Sequence, residues 1–234
     1  MIDPSNQKIL LKNLKKPKAI IFDWDNTLVD TWPLIQTAIN NTMNKMGKDN
    51  WDLEKVKNTV HKSMRDSFPE IFGDNWQQAG EIYRNSYHAI NIDKIQLLPN
   101  SLNLIKKISE LGIMQFIISN KIGSTLRKEV KKLQIDKLFF SIVGSQDANF
   151  DKPDKSVVDF AVLGSEIDLS KDEIWFIGDT ISDIECAHNA NCTPIIYGHS
   201  NNQISKSISL QMINEGKIPV YFDHIEIINL LESF

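Results

Sequence analysis

From Pro99 to the C-terminus, short apolar runs alternate with amphipathic stretches, and this alternation restricts the possible folds more than any other feature. SLNLIKKISELG (101–112) has helical apolar spacing, stops at Gly112 and is followed by the apolar run Ile113–Ile118. STLRKEVKKLQ (124–134) reads as a helix, Ser141–Ile142–Val143 as a short strand and SVVDFAVLG (156–164) as another helix. Glu173–Ile177 is a strand ending at Gly178, SDIECAHNA (182–190) a helix and Pro194–Tyr197 a strand, and a last strand and helix lie within IPVYFDHIEIINLLESF (218–234). Strands alternating with helices predict a parallel sheet with helices on both faces.

Upstream, KAIIFDWDNTLVDT (18–31) supplies one more strand, Ala19–Phe22, which stops at two acids. A helical pattern then fills the interval to Leu98, and no strand is expected in it. Pro33 suits the first turn of a helix ending at Gly47; Asp52 is expected to cap DLEKVKNTVHKSM, and Asp74 to cap NWQQAGEIYRNSYHAI. The expected architecture is α/β: a Rossmann-like parallel-sheet core plus a small all-helical cap inserted after the first strand. The expected partition is an N-terminal tail (1–17), a core (18–30 and 99–234) and a cap (31–98).

In open α/β sheets, ligands bind beyond the carboxyl ends of the strands. Asp23 and Asp25 follow the first strand and lean to one side, because side chains alternate along extended backbone. Ser119–Asn120–Lys121 follow the second strand, Lys152–Pro153 lie after the third, and Gly178–Asp179–Thr180 with Asp183 follow the fourth. Two carboxylates as close as Asp23 and Asp25 repel unless a cation or shared proton intervenes. Clustered carboxylate oxygens suit Mg²⁺, a hydroxyl and free N–H groups suit a phosphate, and a lysine balances anionic charge. One carboxylate of such a set can attack phosphorus while the other handles protons.

The residues Asp23-Trp24-Asp25-Asn26-Thr27, Ser119-Asn120, Lys152-Pro153 and Gly178-Asp179-Thr180-Ile181-Ser182-Asp183 resemble the four ordered motifs of the haloacid dehalogenase-like hydrolase superfamily. That resemblance implies a phosphatase working through an aspartyl-phosphate. It implies Asp23 as nucleophile and metal ligand, and Asp25 as general acid/base whose backbone carbonyl also reaches the metal. Thr27 would orient the site from behind. Ser119 and Asn120 would bind the phosphoryl group, Lys152 would balance charge, and Asp179 and Asp183 would complete the Mg²⁺ site. The second aspartate, Asp25, points to phosphate esters, since relatives that need not protonate an alkoxide lack it. A helical insertion between the first two motifs resembles the C1-capped branch, which holds phosphoglycolate phosphatases, pyrophosphatases and β-phosphoglucomutases. Ser119-Asn120-Lys121 most resembles the phosphoglycolate phosphatases. Trp24 and Asn26 depart from the usual residues without touching the chemistry, and Asn tolerates left-handed backbone.

Within the cap, HKSMRD (61–66) is read as the end of a helix offering His61, Lys62 and Arg65 to the leaving group. Arg65 is the expected substrate-binding member, because a guanidinium holds a carboxylate with two parallel hydrogen bonds. The five tryptophans read as packing residues, and His88, His188, His199 and His224 as surface or satisfied histidines. The lysines of KEVKK and LKKPK read as solvated faces, and Ser124 and Thr125 as helix caps.

A net charge of −4 gives no broad electrostatic footprint for nucleic acid. No apolar stretch reaches the ~20 residues of a membrane span, and the lysine-bearing N-terminus has no sustained apolar core. Cys186 and Cys192 are read as reduced thiols of a cytoplasmic protein. The expected partner is a small phosphorylated metabolite, with neither nucleic acid nor membrane, and the chain is expected as a monomer or homodimer. A β-phosphoglucomutase-like phosphosugar mutase would use the same two aspartates, and a catalytically silent binding protein could be built on the same fold.

Overall fold

Strand β1, Ala19–Phe22, is buried along its whole length because both its faces are covered. Ile20 and Phe22 join one hydrophobic cluster with Ile117, Trp175 and Ile177. Ala19 and Ile21 join another on the opposite face, with Phe116, Ile118 and Phe176. The computed structural model describes residues 14–60, 63–90, 95–198 and 218–234, with the single positions 205, 208, 209, 211, 213 and 215 between the last two.

The other sheet strands are β4 (Met114–Ile122), β5 (Ser141–Ser145), β6 (Ile174–Gly178), β7 (Thr193–Tyr197) and β8 (Val220–Tyr221). Their order is β5-β4-β1-β6-β7-β8, with all neighbours parallel. Phe22 lies opposite Ile117 on one side and Ile177 on the other. This register sets Phe22, Ile117 and Ile177 side by side, so Asp23, Ser119 and Asp179, one or two residues further on, share one crevice. Helices α5 (Ser101–Glu110), α6 (Gly123–Lys132), α7 (Ser156–Val162), α8 (Ile181–Asn189) and α9 (His224–Glu232) flank the sheet.

Between β1 and α5 the chain forms α1 (Trp32–Lys45), α2 (Leu53–Thr59), α3 (Met64–Phe72) and α4 (Trp76–Ala89). They bury a cluster of their own, with Ile35, Ile39, Met43, Trp51, Val56, Phe68, Phe72 and Ala79 at its centre. Among the described residues, no helix is long and apolar enough to cross a membrane.

Several local expectations need correction. Gln96–Leu97 forms a strand, β3, that pairs antiparallel with Val29–Asp30, β2, so a two-stranded ribbon ties the entry to the helical block to its exit. The helix capped by Asp52, whose carboxylate accepts from Lys55 N at 2.7 Å, ends at Thr59. Ser63 precedes a separate helix, so Arg65 lies in a first turn rather than at a helix end. Asp74 sits inside the 3₁₀ turn Gly73–Asn75, entered through Gly73 at φ 57°, and Asn75 is the residue that precedes α4. Strand β4 runs past Ile118 to Ile122, because pairing with β5 resumes at Ile122 opposite Ser145. Helix α6 therefore begins at Gly123 with no side-chain cap, and Ser124 and Thr125 lie inside it.

Candidate active site

Asp23 is the first residue beyond β1, and its N–H still bonds Ile177 O at 2.9 Å, which fixes it to the sheet. Lys152 Nζ lies 2.6 Å from Asp23 Oδ1 and 2.6 Å from Asp183 Oδ1, all three side chains being buried. Burial opposes the charge on Lys152, yet the carboxylates of Asp183 and Asp23 hold its pKa above the ordinary lysine value. Asp183 Oδ2 accepts from Thr180 N at 2.9 Å and Thr180 Oγ1 at 2.7 Å. One carboxylate thus starts helix α8 and orients the lysine. The preceding strand ends in glycine for a steric reason: a Cβ at Gly178 would fall 2.3 Å from the Asp183 carboxyl carbon.

Asn120 is a clamp. Its Oδ1 accepts from Lys152 N at 3.0 Å and its Nδ2 donates to Lys152 O at 3.3 Å, so β4 sets the position of the loop carrying the lysine. Ser119 is buried beside it, and its Oγ accepts from Lys121 N at 3.2 Å. Beyond Asp25, Asn26 adopts the left-handed conformation (φ 61°) that turns the chain, and its Oδ1 accepts from Thr31 N at 3.2 Å. Thr27 is fully buried, with its carbonyl oxygen 2.9 Å from His224 Nε2.

Asp25 has a partner that sequence reasoning missed. Lys121 Nζ lies 2.6 Å from Asp25 Oδ1 and 2.7 Å from Glu129 Oε2. Burial works against the Lys121 charge, but Asp25, Tyr87 and Glu129 leave its pKa well above the usual value. Glu129 belongs to the run KEVKK, read as a solvated face, yet it is fully buried. The signal was its phase: Glu129 lies four residues after Thr125 and three after Leu126, on the face that α6 buries. Trp24, read as packing, also donates Nε1–H to Glu129 Oε2 at 2.7 Å.

These groups open into a cleft lined by Asp23, Asp25, Ser119, Asn120, Lys152 and Asp179 from the sheet and by Trp32, Met64, Phe68, Tyr83, Arg84, Tyr87 and His88 from the helical block. Arg65 does not line it. Its Nε lies 2.5 Å from Asp151 Oδ2, so the guanidinium expected for the leaving group is engaged by a buried carboxylate instead. His61 and Lys62 lie outside the described residues. The basic side chains that the helical block brings to the cleft are Arg84 and His88, one turn apart on α4. Arg84 makes no ion pair among the described residues, and His88 Nε2 lies 3.5 Å from Thr125 Oγ1.

The chemistry of the acids fits a divalent cation. Carboxylate oxygens of Asp23, Asp179 and Asp183 lie within 4.8 Å of one another, and all three residues are buried. Burial is the largest cause raising the Asp23 pKa well above its ordinary value. Lys152 opposes it, and Asp183, Asp179 and Asp25 add to it. Within this buried group the Lys152 ammonium reaches Asp23 and Asp183, one positive charge set against three carboxylates. A second positive charge would relieve the excess.

The haloacid dehalogenase-like hydrolase model matches residues 20–197. The phosphoglycolate phosphatase of Pseudomonas syringae pv. tomato is 23% identical over 201 residues, covering 81% of this chain and 73% of that protein. The pyrophosphatase PpaX of Halalkalibacterium halodurans is 23% identical over 182 residues, covering 78% and 84%. A crystal structure of a superfamily hydrolase from Ehrlichia chaffeensis superposes with a TM-score of 0.62 at 30% identity, covering 94% of this chain and 98% of the other. A haloacid dehalogenase-like protein from Streptococcus pneumoniae gives 0.76 at 23% identity over 92% and 99%, a likeness of fold. With Asp23 and Asp25, Ser119, Lys152 and Asp179 arrayed on one crevice and the family model spanning most of the sheet, this chain belongs to the haloacid dehalogenase-like hydrolases.

Proposed function

We propose that this protein is a Mg²⁺-dependent phosphatase of small anionic phosphomonoesters, similar in action to phosphoglycolate phosphatase. The observation that carries this reading is the buried set Asp23, Lys152, Asp179 and Asp183, with Asp25 beside it in the same cleft. Asp23 attacks phosphorus, the bond from phosphorus to the leaving oxygen breaks, and Asp25 gives that oxygen a proton. Water then attacks the acyl phosphate and passes a proton to Asp25, and Asp23 leaves as a carboxylate. Ser119 and the Lys152 ammonium hold the phosphoryl oxygens, and Asn120 holds Lys152 in place. Asp23, the Asp25 carbonyl, Asp179 and Asp183 would hold Mg²⁺, which when bound withdraws charge from the phosphoryl oxygens. We treat residues 31–98 as the cap over the core formed by 18–30 and 99–234, so the leaving group meets Arg84 and His88.

Phosphate release from a panel of small esters, phosphoglycolate included, tests this reading with purified protein and Mg²⁺. Turnover of at least one anionic ester is expected, with none in Asp23→Asn. No release from any ester, p-nitrophenyl phosphate included, or equal release by Asp23→Asn, overturns it.

A further inference from the structure

One buried ammonium joins the proposed acid to the cap. Lys121 Nζ donates to Asp25 Oδ1 at 2.6 Å, to Glu129 Oε2 at 2.7 Å and to Tyr87 OH at 3.0 Å, which uses all three of its protons. Tyr87 OH donates in turn to Glu129 Oε1 at 2.9 Å, and Trp24 Nε1 donates to Glu129 Oε2 at 2.7 Å. The chain of contacts leaves the turn after β1 at Trp24 and returns to it at Asp25, the next residue. Asp25 Oδ2 receives no hydrogen bond among the described residues, so one oxygen is anchored and the other is left for chemistry.

The members come from different parts of the fold. Trp24, Asp25, Lys121 and Glu129 belong to the turn after β1, to β4 and to α6. Tyr87 alone comes from the cap, on α4, and its ring also lies 5.0 Å from the Lys121 ammonium. Moving α4 away would strip the hydroxyl from both Lys121 and Glu129. Lys121 would then be shared by two carboxylates with nothing between them, and Glu129 Oε1 would lose its donor. Charge-assisted bonds of this length, in a site shielded from water, hold a carboxylate firmly. A misplacement of about 1 Å in a reacting group can cost ~10²-fold in rate.

We propose that Lys121 is a positioning residue that fixes Asp25 for protonating the leaving oxygen, and that Tyr87 makes this pose depend on a docked cap. The proposal rests on the phosphatase reading and extends it to how the acid is set. It predicts sensitivity to the leaving group: an alkoxide needs the proton, whereas p-nitrophenolate departs without it.

Tyr87→Phe keeps the ring and removes the hydroxyl. The loss in kcat for an alkyl phosphate should exceed the loss for p-nitrophenyl phosphate by about 10-fold, part of the ~10²–10⁴ that general acid catalysis supplies. Lys121→Met should widen that gap to about 10²-fold. Should Lys121→Met fail to fold, the double variant Lys121→Met/Glu129→Gln removes the opposite charge as well and should show the same gap. Amide hydrogen exchange gives a second readout, independent of turnover: exchange in α4 should quicken in Tyr87→Phe while β4 and β6 stay protected. Equal losses on both esters overturn the positioning role, and unchanged exchange in α4 overturns the cap contact. A wild-type protein that hydrolyses no ester sinks the phosphatase reading and the positioning role together, while the exchange experiment still decides the cap contact.

Discussion

Arg65 and Asp151 form an ion pair, Nε to Oδ2 at 2.5 Å, between helix α3 and the residue just before Lys152. Asp151 also accepts from Ser145 Oγ at 3.1 Å and Gln146 N at 3.2 Å, so Arg65 ties the helical block to a loop that the core already holds. Arg65→Ala leaves a buried carboxylate short of its cation. Breaking a fully buried pair costs ~3–5 kcal/mol, and the exposure of a third of the Arg65 side chain reduces this to about 1–2 kcal/mol. The denaturation midpoint should fall accordingly. Losses in kcat/KM should be similar for anionic and aryl esters, because the loop that moves carries Lys152, the lysine proposed to balance the phosphoryl charge. A loss confined to anionic esters would return Arg65 to the leaving group.

Arg84 should behave in the opposite way. It faces the cleft from α4 and makes no ion pair among the described residues, so a leaving-group carboxylate would find a bidentate partner there. Arg84→Ala should lower kcat/KM for the best carboxylate-bearing ester by ~10-fold or more, at ~1.4 kcal/mol per decade. The loss for p-nitrophenyl phosphate should be at least several-fold smaller. Parallel losses on both would mark Arg84 as a packing residue beside Gly80.

The sheet was legible because both its faces are buried: β1 and β6 are continuous apolar runs, and β4 carries the run Phe116–Ile118 before its first site residue, Ser119. Asp23, Ser119 and Asp179 were legible with it, because each sits just past an apolar run, where an open α/β sheet places its ligand, and Lys152 lies in the loop that follows β5. The features hidden from the sequence depend on tertiary contact. Glu129 looked solvated because its neighbours are lysines, and only the phase of α6 set against Trp24 buries it. Arg65 looked free because Asp151, 86 positions away, is not a neighbour in any local pattern. Strand β3 was too short to carry a period, and pairing with β2 alone defines it.

Nucleophile and acid should separate kinetically. Asp23→Asn removes the oxygen proposed to attack and a proposed metal ligand, and no turnover should be measurable. Asp25→Asn keeps the proposed nucleophile but loses the proposed proton donor, a loss that is typically ~10²–10⁴-fold. That loss should be larger for an alkyl phosphate than for p-nitrophenyl phosphate. Equal losses for the two esters would remove Asp25 from the acid role.

Metal binding should be visible without any substrate. In the metal-free protein, burial and three neighbouring carboxylates hold the Asp23 pKa well above its value in the unfolded chain, with Lys152 opposing. An acid raised in this way contributes stability that is fully present below its unfolded pKa, about 4, and is lost as pH rises through its folded pKa. Mg²⁺ must displace that proton to bind, so its stabilisation should be small near pH 5 and should grow toward pH 8. At a hundredfold excess over Kd a ligand adds about 2.7 kcal/mol, a rise in Tm of roughly 5–10 °C for a chain of this size. EDTA should abolish both the rise and the activity. Ca²⁺ should restore the rise but not the activity, because its longer bonds and larger ligand number displace Asp23 from phosphorus. A Mg²⁺ shift that does not vary with pH, or that survives unchanged in Asp23→Asn, would place the cation away from Asp23.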